Sequence, residues 1–302
     1  MIKILKVGVF GVGSMGEKHL QKYLSMPDIA VVGIVDTDPE RLKYISSKYG
    51  VPSYPYEDLI KKINIASIVT PPKSHYHIAK DCLESGVHIL LEKPMTGSSE
   101  SLSSLNELAI KVGVILQPGL IERFNPIVDL IIQSTDFCLN NEVIFARSIP
   151  YDNRVKDISI IRDLGLHDLD LCLFIFGKFL QVSECKYNIT KFTPFPDFFS
   201  GKFLFNTNKC KIISMRNSKD RFVSGIVENN FLHLAFNLYK RTADIQYKDR
   251  NLNSHINYAS VDPLFNELRS LICAVRGRGE PKVTARDGIR VLKLIEHIES
   301  GL

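Results

Sequence analysis

Along the first third of the chain, short aliphatic and β-branched runs alternate with stretches whose apolar residues recur every three or four positions. That is the pattern of strands joined by crossover helices into a parallel sheet. It predicts strands over 5–10, 30–35, 66–69, 88–91 and 114–117, and helices over 15–24, 39–48, 56–62, 74–85 and 98–111. Asp38 stands where a carboxylate can accept the free N–H groups of the second helix, and Gly50, Gly86 and Gly113 stand where helices end in a left-handed residue. The serines of 97–104 lead into the fifth helix and read as capping chemistry, not as a linker.

After Gly119 the β-prone segments lengthen, at 143–148, 181–190, 201–206 and 211–214, which predicts a mixed or antiparallel sheet. One helix interrupts it over 163–176, where Leu164, Leu166, Leu169, Leu171, Leu173 and Phe174 give a broad apolar face. Two more, over 263–275 and 285–299, close the chain. The boundary is set at Gly119: an α/β domain over 1–119 and an α+β domain over 120–302. A chain of 302 residues can build two cores of ordinary size.

Composition then narrows the function classes. A formal charge of +5, with Lys and Arg scattered along the chain, leaves no nucleic-acid footprint and suits a small anionic ligand. The six cysteines form no CxxC pair and no metal-ligand spacing, so reduced thiols, no disulfides and no metal are expected. The apolar run 4–10 is broken by Lys6 and followed by glycines, unlike a signal peptide. No stretch reaches the ~18 apolar residues of a membrane span. The expectation is a cytoplasmic protein without a membrane partner.

The segment Gly11-Val12-Gly13-Ser14-Met15-Gly16 puts GxGxxG between a predicted strand and a predicted helix, the context in which it cradles a dinucleotide. Gly11 allows the tight turn, Gly13 lets backbone approach a pyrophosphate, and Gly16 lets helix pack closely on strand. The helix start adds free N–H groups and a partial positive charge. Asp36 ends the second strand twenty positions after Gly16, where a carboxylate can take the adenosine ribose hydroxyls; alone, it would read as a turn residue before Asp38-Pro39. Its charge opposes a ribose phosphate and Thr37 supplies no cation, so NAD is expected over NADP and the first domain reads as a Rossmann domain.

Four segments in this order resemble the GFO/IDH/MocA oxidoreductases: Gly11 to His19; Thr70-Pro71-Pro72 with His75; Glu92-Lys93-Pro94; and Asp163-Leu164-Gly165-Leu166-His167-Asp168-Leu169-Asp170. The resemblance runs over nearly the whole chain. It implies NAD-dependent oxidation of a CH–OH group, with Gly11, Val12, Gly13, Ser14, Met15, Gly16, Asp36, Thr70, Pro71, His75, Glu92 and Lys93 at the cofactor. It also implies that Lys93 contacts the reacting hydroxyl and that Lys93, Asp163 and His167 are catalytic and hold substrate.

Chemistry is consistent with those roles. The segments 70–72 and 92–94 leave the carboxyl ends of predicted parallel strands, the edge where open α/β sheets hold ligands, and Pro94 disfavours helix at Lys93. Asp163 and His167 are four apart, so a helix would put them on one face. Oxidising an alcohol also removes its hydroxyl proton, which a histidine near neutrality can take. His167 is assigned as base, Asp163 as the group orienting imidazole or substrate, and Lys93 as the cation opposite developing alkoxide, with a share of the proton transfer left open to Lys93. Without the resemblance, Lys93 reads as a surface lysine and Asp163 with His167 as a solvent-facing helix pair.

Gly119-Leu120-Ile121-Glu122-Arg123-Phe124-Asn125-Pro126 is similar to the corresponding segment of the family branch that oxidises the 3-hydroxyl of UDP-N-acetylglucosamine. This implies a 3-keto nucleotide sugar as product, an aminotransferase as functional partner making a 2,3-diamino sugar for lipid A, and a homo-oligomer through the second-domain sheet. Arg123 is a candidate substrate or cofactor contact, with a structural ion pair, to Glu122 among others, as its other reading. The alternatives are a dehydrogenase of a free sugar or a polyol such as inositol, and a non-catalytic NAD sensor.

Overall fold

A computed structural model describes residues 4–135, 140–150, 158–189, 195–216, 219–249 and 252–301. Its contacts divide the chain into two units: Met1–Leu120 with Leu264–Lys293, and Ile121–Pro263 with Leu294–Leu302.

The first unit runs β1 (Leu5–Phe10), α1 (Ser14–Leu24), β2 (Ile29–Val35), α2 (Pro39–Tyr49), α3 (Tyr56–Ile60), β3 (Ile65–Ile68), α4 (Pro72–Glu84), β4 (His88–Leu91), α5 (Ser99–Val112) and β5 (Leu116–Pro118). The strands are all parallel, in the order β2-β1-β3-β4-β5. Val7, Val9, Ile65, Ile68, Ile89 and Leu91 are fully buried, as strands covered on both faces require, which is why they read as continuous apolar runs. Asp38 caps α2 by accepting from the Glu40 and Arg41 N–H groups.

The second unit opens with a 3-10 turn (Ile121–Phe124) and α6 (Pro126–Thr135). It continues through β6 (Glu142–Ser148), a π turn (Ile161–Gly165), α7 (Leu166–Phe176), β7 (Phe179–Asn188), β8 (Phe198–Phe205), β9 (Asn208–Met215), β10 (Phe222–Glu228), β11 (Leu232–Asn237), β12 (Thr242–Tyr247) and β13 (Leu252–Asn257). The strands form one sheet, β13-β12-β11-β10-β6-β9-β8-β7, antiparallel except for the parallel pair β6 and β9. α6 and α7 pack on it, and nearly every residue of α7 is buried, His167, Asp168 and Asp170 included.

The mixed sheet is the one expected, but sequence analysis did not place α6 or β10 to β13. Leu232, Leu234 and Phe236 alternate with half-exposed residues as a strand should, yet the turn into β12 carries no glycine or proline; Arg241 itself takes φ 59. The end of the expected strand 181–190, Thr190, lies outside the described residues. Cys82, Cys172, Cys185, Cys210 and Cys273 are free thiols, and Cys138 lies outside the described residues.

The last helices are α8 (Pro263–Val275) and α9 (Ala285–Ser300). Sequence analysis placed all of 120–302 in the second domain, whereas Leu264–Lys293 groups with the first unit. Long-range contacts decide this. Asp28, ahead of β2, accepts from Arg269 and Arg276, and the Gln117 side chain donates to the Glu267 carbonyl at 3.0 Å. A Cβ on Gly288 would come within 2.9 Å of Leu102.

Candidate active site

The turn between β1 and α1 has the geometry its glycines predict. Gly11 sits at φ 84, and a Cβ there would meet the Val69 carbonyl oxygen at 2.7 Å. A Cβ on Gly16 would lie 1.9 Å from the Gly11 carbonyl oxygen, so helix and strand can approach only without one. A Cβ on Gly13 would meet nothing within 4 Å, leaving room for a ligand against that backbone. Gly13 begins α1 without a side-chain cap, and Gly13 and Ser14 are exposed with Met15 half-buried, so the helix start can serve an anion. Asp36 holds the turn from the end of β2: its Oδ2 accepts from the Val12 N–H at 2.7 Å and its Oδ1 from the Asp38 N–H at 2.9 Å. These residues fit a dinucleotide.

Arg41 is a component that sequence analysis did not single out. Its Nε donates to the Val12 carbonyl at 2.8 Å and its Nη2 to Glu17 at 2.5 Å, placing a cation beside the nucleotide turn but engaged by protein oxygens. A cation five positions after the strand-ending acid was the available signal. Hydrogen bonds from Lys48, Tyr49 and Arg41 hold the Glu17 carboxyl down at about 2.

Lys93 is half-buried and follows β4. Glu92 and His75 were assigned to the cofactor, yet both are buried and their polar atoms bond within the protein. Glu92 Oε1 faces His19 Nε2 at 3.1 Å, and its Oε2 accepts from the Lys93 N–H at 3.1 Å. His75 Nδ1 lies 3.0 Å from the Pro94 carbonyl oxygen and its Nε2 lies 2.7 Å from that of Thr70. Thr70 and Pro71 remain half-exposed and exposed on the same edge of the sheet.

Lys93 belongs to the first unit, Asp163 and His167 to the second. Asp163 sits in the π turn and His167 in the first turn of α7, both buried. Single π turns recur at functional sites because the extra residue re-aims side chains. Arg216, just past β9 and fully buried, donates to Asp163 Oδ2 at 3.0 Å and to the Ile158 carbonyl at 2.7 Å. Sequence analysis missed Arg216, which no motif marks.

Arg123 takes the structural reading. Its guanidinium is 2 % exposed and grips Asp170 in a fork, Nε to Oδ2 at 2.9 Å and Nη2 to Oδ1 at 2.7 Å, over the Phe174 ring. This is the geometry of the ion-pair reading, with Asp170 as partner. Glu122 instead accepts from Arg147 at 2.9 Å, and Arg147 also bonds Asp168 at 2.8 Å. Burial works against the Arg147 charge, but Asp168 and Glu122 outweigh it and keep the guanidinium charged.

Residues 5–120 match the family model described as oxidoreductase family, NAD-binding Rossmann fold. The chain is 33% identical over 174 residues to a UDP-N-acetylglucosamine 3-dehydrogenase of Acidithiobacillus ferrooxidans, covering 57% of this chain and 55% of that protein. It is 26% identical over 185 residues to a scyllo-inositol 2-dehydrogenase (NAD(+)) of Bacillus subtilis, covering 57% of this chain and 54% of that one. These alignments span about half the length of each relative. A solved structure of the Acidithiobacillus ferrooxidans UDP-N-acetylglucosamine 3-dehydrogenase superposes with a TM-score of 0.90 at 24% identity, over 100% of this chain and 98% of that one, and shows a shared fold. Among the described residues, no helix is long and apolar enough to cross a membrane, and no group of three or more His, Cys, Asp or Glu could hold a metal ion.

The first unit also carries a pH signature. Burial pushes His75 and His88 below the ordinary histidine value of 6.5. His88 Nδ1 accepts the Ile115 N–H at 3.0 Å, a bond that protonation would break. Below 6.5 the unfolded chain takes up protons that these folded rings refuse, so their contribution to stability is complete above that value and lost as pH falls. Tm should hold from pH 8 to 7 and decline from about 6.5 to 5, with a shallower decline in His88→Gln. Calorimetry at stepped pH checks this; parallel declines in both proteins would remove His88 from the explanation.

Proposed function

We propose that the protein is an NAD-dependent dehydrogenase that oxidises the 3-hydroxyl of UDP-N-acetylglucosamine to the 3-keto nucleotide sugar. The observation that carries the substrate is the 33% identity to a UDP-N-acetylglucosamine 3-dehydrogenase, beside which Lys93, Asp163 and His167 supply the groups an alcohol oxidation needs. Bound NAD supplies the hydride acceptor. Gly13 and the start of α1 bind its pyrophosphate and Asp36 its ribose. His167 takes the hydroxyl proton, Asp163, fixed by Arg216, orients imidazole or substrate, and Lys93 opposes the negative charge that develops on oxygen, with a share of the proton transfer open to it.

In this reading the enzyme is cytoplasmic and its ketone passes to an aminotransferase that makes a 2,3-diamino sugar for lipid A. It assembles as a homo-oligomer through the second-unit sheet. A row of half-buried aliphatic side chains supports that surface: Ala235, Ile226 and Ile144 align across β11, β10 and β6, with Ala146 beside Ile213 of β9.

The test is initial rate of NADH formation, with a ketone trap, for UDP-N-acetylglucosamine, UDP-glucose, N-acetylglucosamine and inositol, the oxidised position being read by NMR. UDP-N-acetylglucosamine should exceed the free sugar in kcat/KM by about 100-fold or more, because contacts to the remote UDP part position the reacting hydroxyl. A second reading, oxidation of a free sugar or polyol, is favoured by the 26% identity to scyllo-inositol 2-dehydrogenase, and turnover of inositol without either UDP-sugar would establish it. Tight NAD binding with no turnover of any alcohol would point instead to an NAD sensor.

A further inference from the structure

Two buried histidines grip the segment that carries Lys93 from opposite sides. His19, on α1 and fully buried, lies 2.7 Å from Ser67 Oγ through Nδ1 and 3.1 Å from Glu92 Oε1 through Nε2. One neutral tautomer satisfies both contacts: Nε2–H donates to the carboxylate and Nδ1 accepts the serine hydroxyl. Burial would push the Glu92 carboxyl up, but the His19 ring, the Lys93 N–H and the Lys93 charge outweigh it and hold Glu92 down. A Cβ on Gly119 would lie 3.0 Å from the Glu92 carboxyl carbon, so the carboxylate has little room to turn elsewhere. On the other side of Lys93, His75, in the first turn of α4 and also fully buried, lies between the Thr70 and Pro94 carbonyls, to one of which its neutral ring can donate its single N–H.

We propose that His19 and His75 are positioning residues that clamp the Lys93 segment, His19 through the Glu92 carboxylate before it and His75 through the Pro94 carbonyl after it. The position of the Lys93 amine is thereby set by α1 and α4, the helices whose leading turns are assigned to the nucleotide. Neither ring touches the reacting atoms. The clamp also explains why two buried imidazoles and a buried carboxylate persist in a Rossmann unit where apolar residues would pack without polar partners. The proposal rests on Lys93 acting at the reacting hydroxyl only for its effect on turnover.

The test therefore reads Lys93 directly as well as through catalysis. Pulse acetylation of the full chain at one pH, quantified by peptide mass spectrometry with Lys62 as internal reference, gives the reactivity of the Lys93 amine. The isosteric variant Glu92→Gln removes the carboxylate that faces the His19 ring and accepts the Lys93 N–H, so Lys93 reactivity relative to Lys62 should change by about threefold or more. His19→Leu and His75→Leu should each lower kcat by about 10- to 100-fold with NAD affinity within about threefold, as a misplaced catalytic group does. His19→Gln, which can still offer an N–H to Glu92, should recover most of the His19→Leu loss. Unchanged Lys93 reactivity in Glu92→Gln, or folded His19→Leu protein with wild-type kcat, overturns the clamp. If Lys93→Ala turns over normally, the catalytic reading fails, and Lys93 reactivity alone decides the clamp.

Discussion

Lys93→Ala and His167→Ala are each expected to cut turnover by about 10²- to 10⁴-fold, the range over which positioned proton transfer and charge stabilisation act, while leaving NAD affinity within a few-fold. The separation follows from placement. Lys93 lies past β4 and His167 on α7, whereas the turn that receives the dinucleotide lies between β1 and α1. If both act on one hydroxyl, as in the proposed reaction, the double variant should be little worse than the poorer single one, because the effects of such groups are not additive. Rates at saturating substrate, NAD titration by fluorescence quenching and a circular dichroism check of each variant decide it. A folded variant that keeps most of its turnover would clear that residue of a catalytic role.

Gly16→Ala and Gly13→Ala should separate the two jobs of the glycine turn. At Gly16 the new methyl would sit 1.9 Å from a backbone oxygen, so the turn itself must shift. A loss of about 1–3 kcal/mol of stability is expected, together with loss of NAD binding. At Gly13 the methyl meets no protein atom within 4 Å and φ is −62, so the fold and Tm should be unchanged or slightly improved. The methyl would nonetheless occupy the space assigned to pyrophosphate, and NAD affinity should fall by about 10-fold or more, roughly 1.4 kcal/mol. Thermal denaturation and NAD titration of both variants give the answer. Wild-type NAD affinity in Gly13→Ala would mean that the pyrophosphate does not lie there.

The amino-acid sequence by itself determined the elements of the first unit and the chemistry they present. β3 and β4 were legible because parallel strands buried on both faces are written as apolar runs, and Asp38, Gly50 and Gly113 mark helix ends through purely local hydrogen bonding and φ. The roles of Gly11 and Gly16 followed from spacing, since a turn and a close approach are properties of a few consecutive residues. Only the tertiary structure decided which charges meet. Arg123 stands next to Glu122 in sequence, yet Asp170, 47 residues away, receives its fork, and Glu122 turns to Arg147. Glu92 and His75 carry the motif expected at a cofactor but are folded inward, Glu92 onto His19 from 73 residues away. Leu264–Lys293 joins the first unit because Asp28 and Arg269, 241 residues apart, pair there. Such contacts depend on distances set by the packing of whole elements, and hydrophobic periodicity specifies which face of an element is buried without specifying what it is buried against.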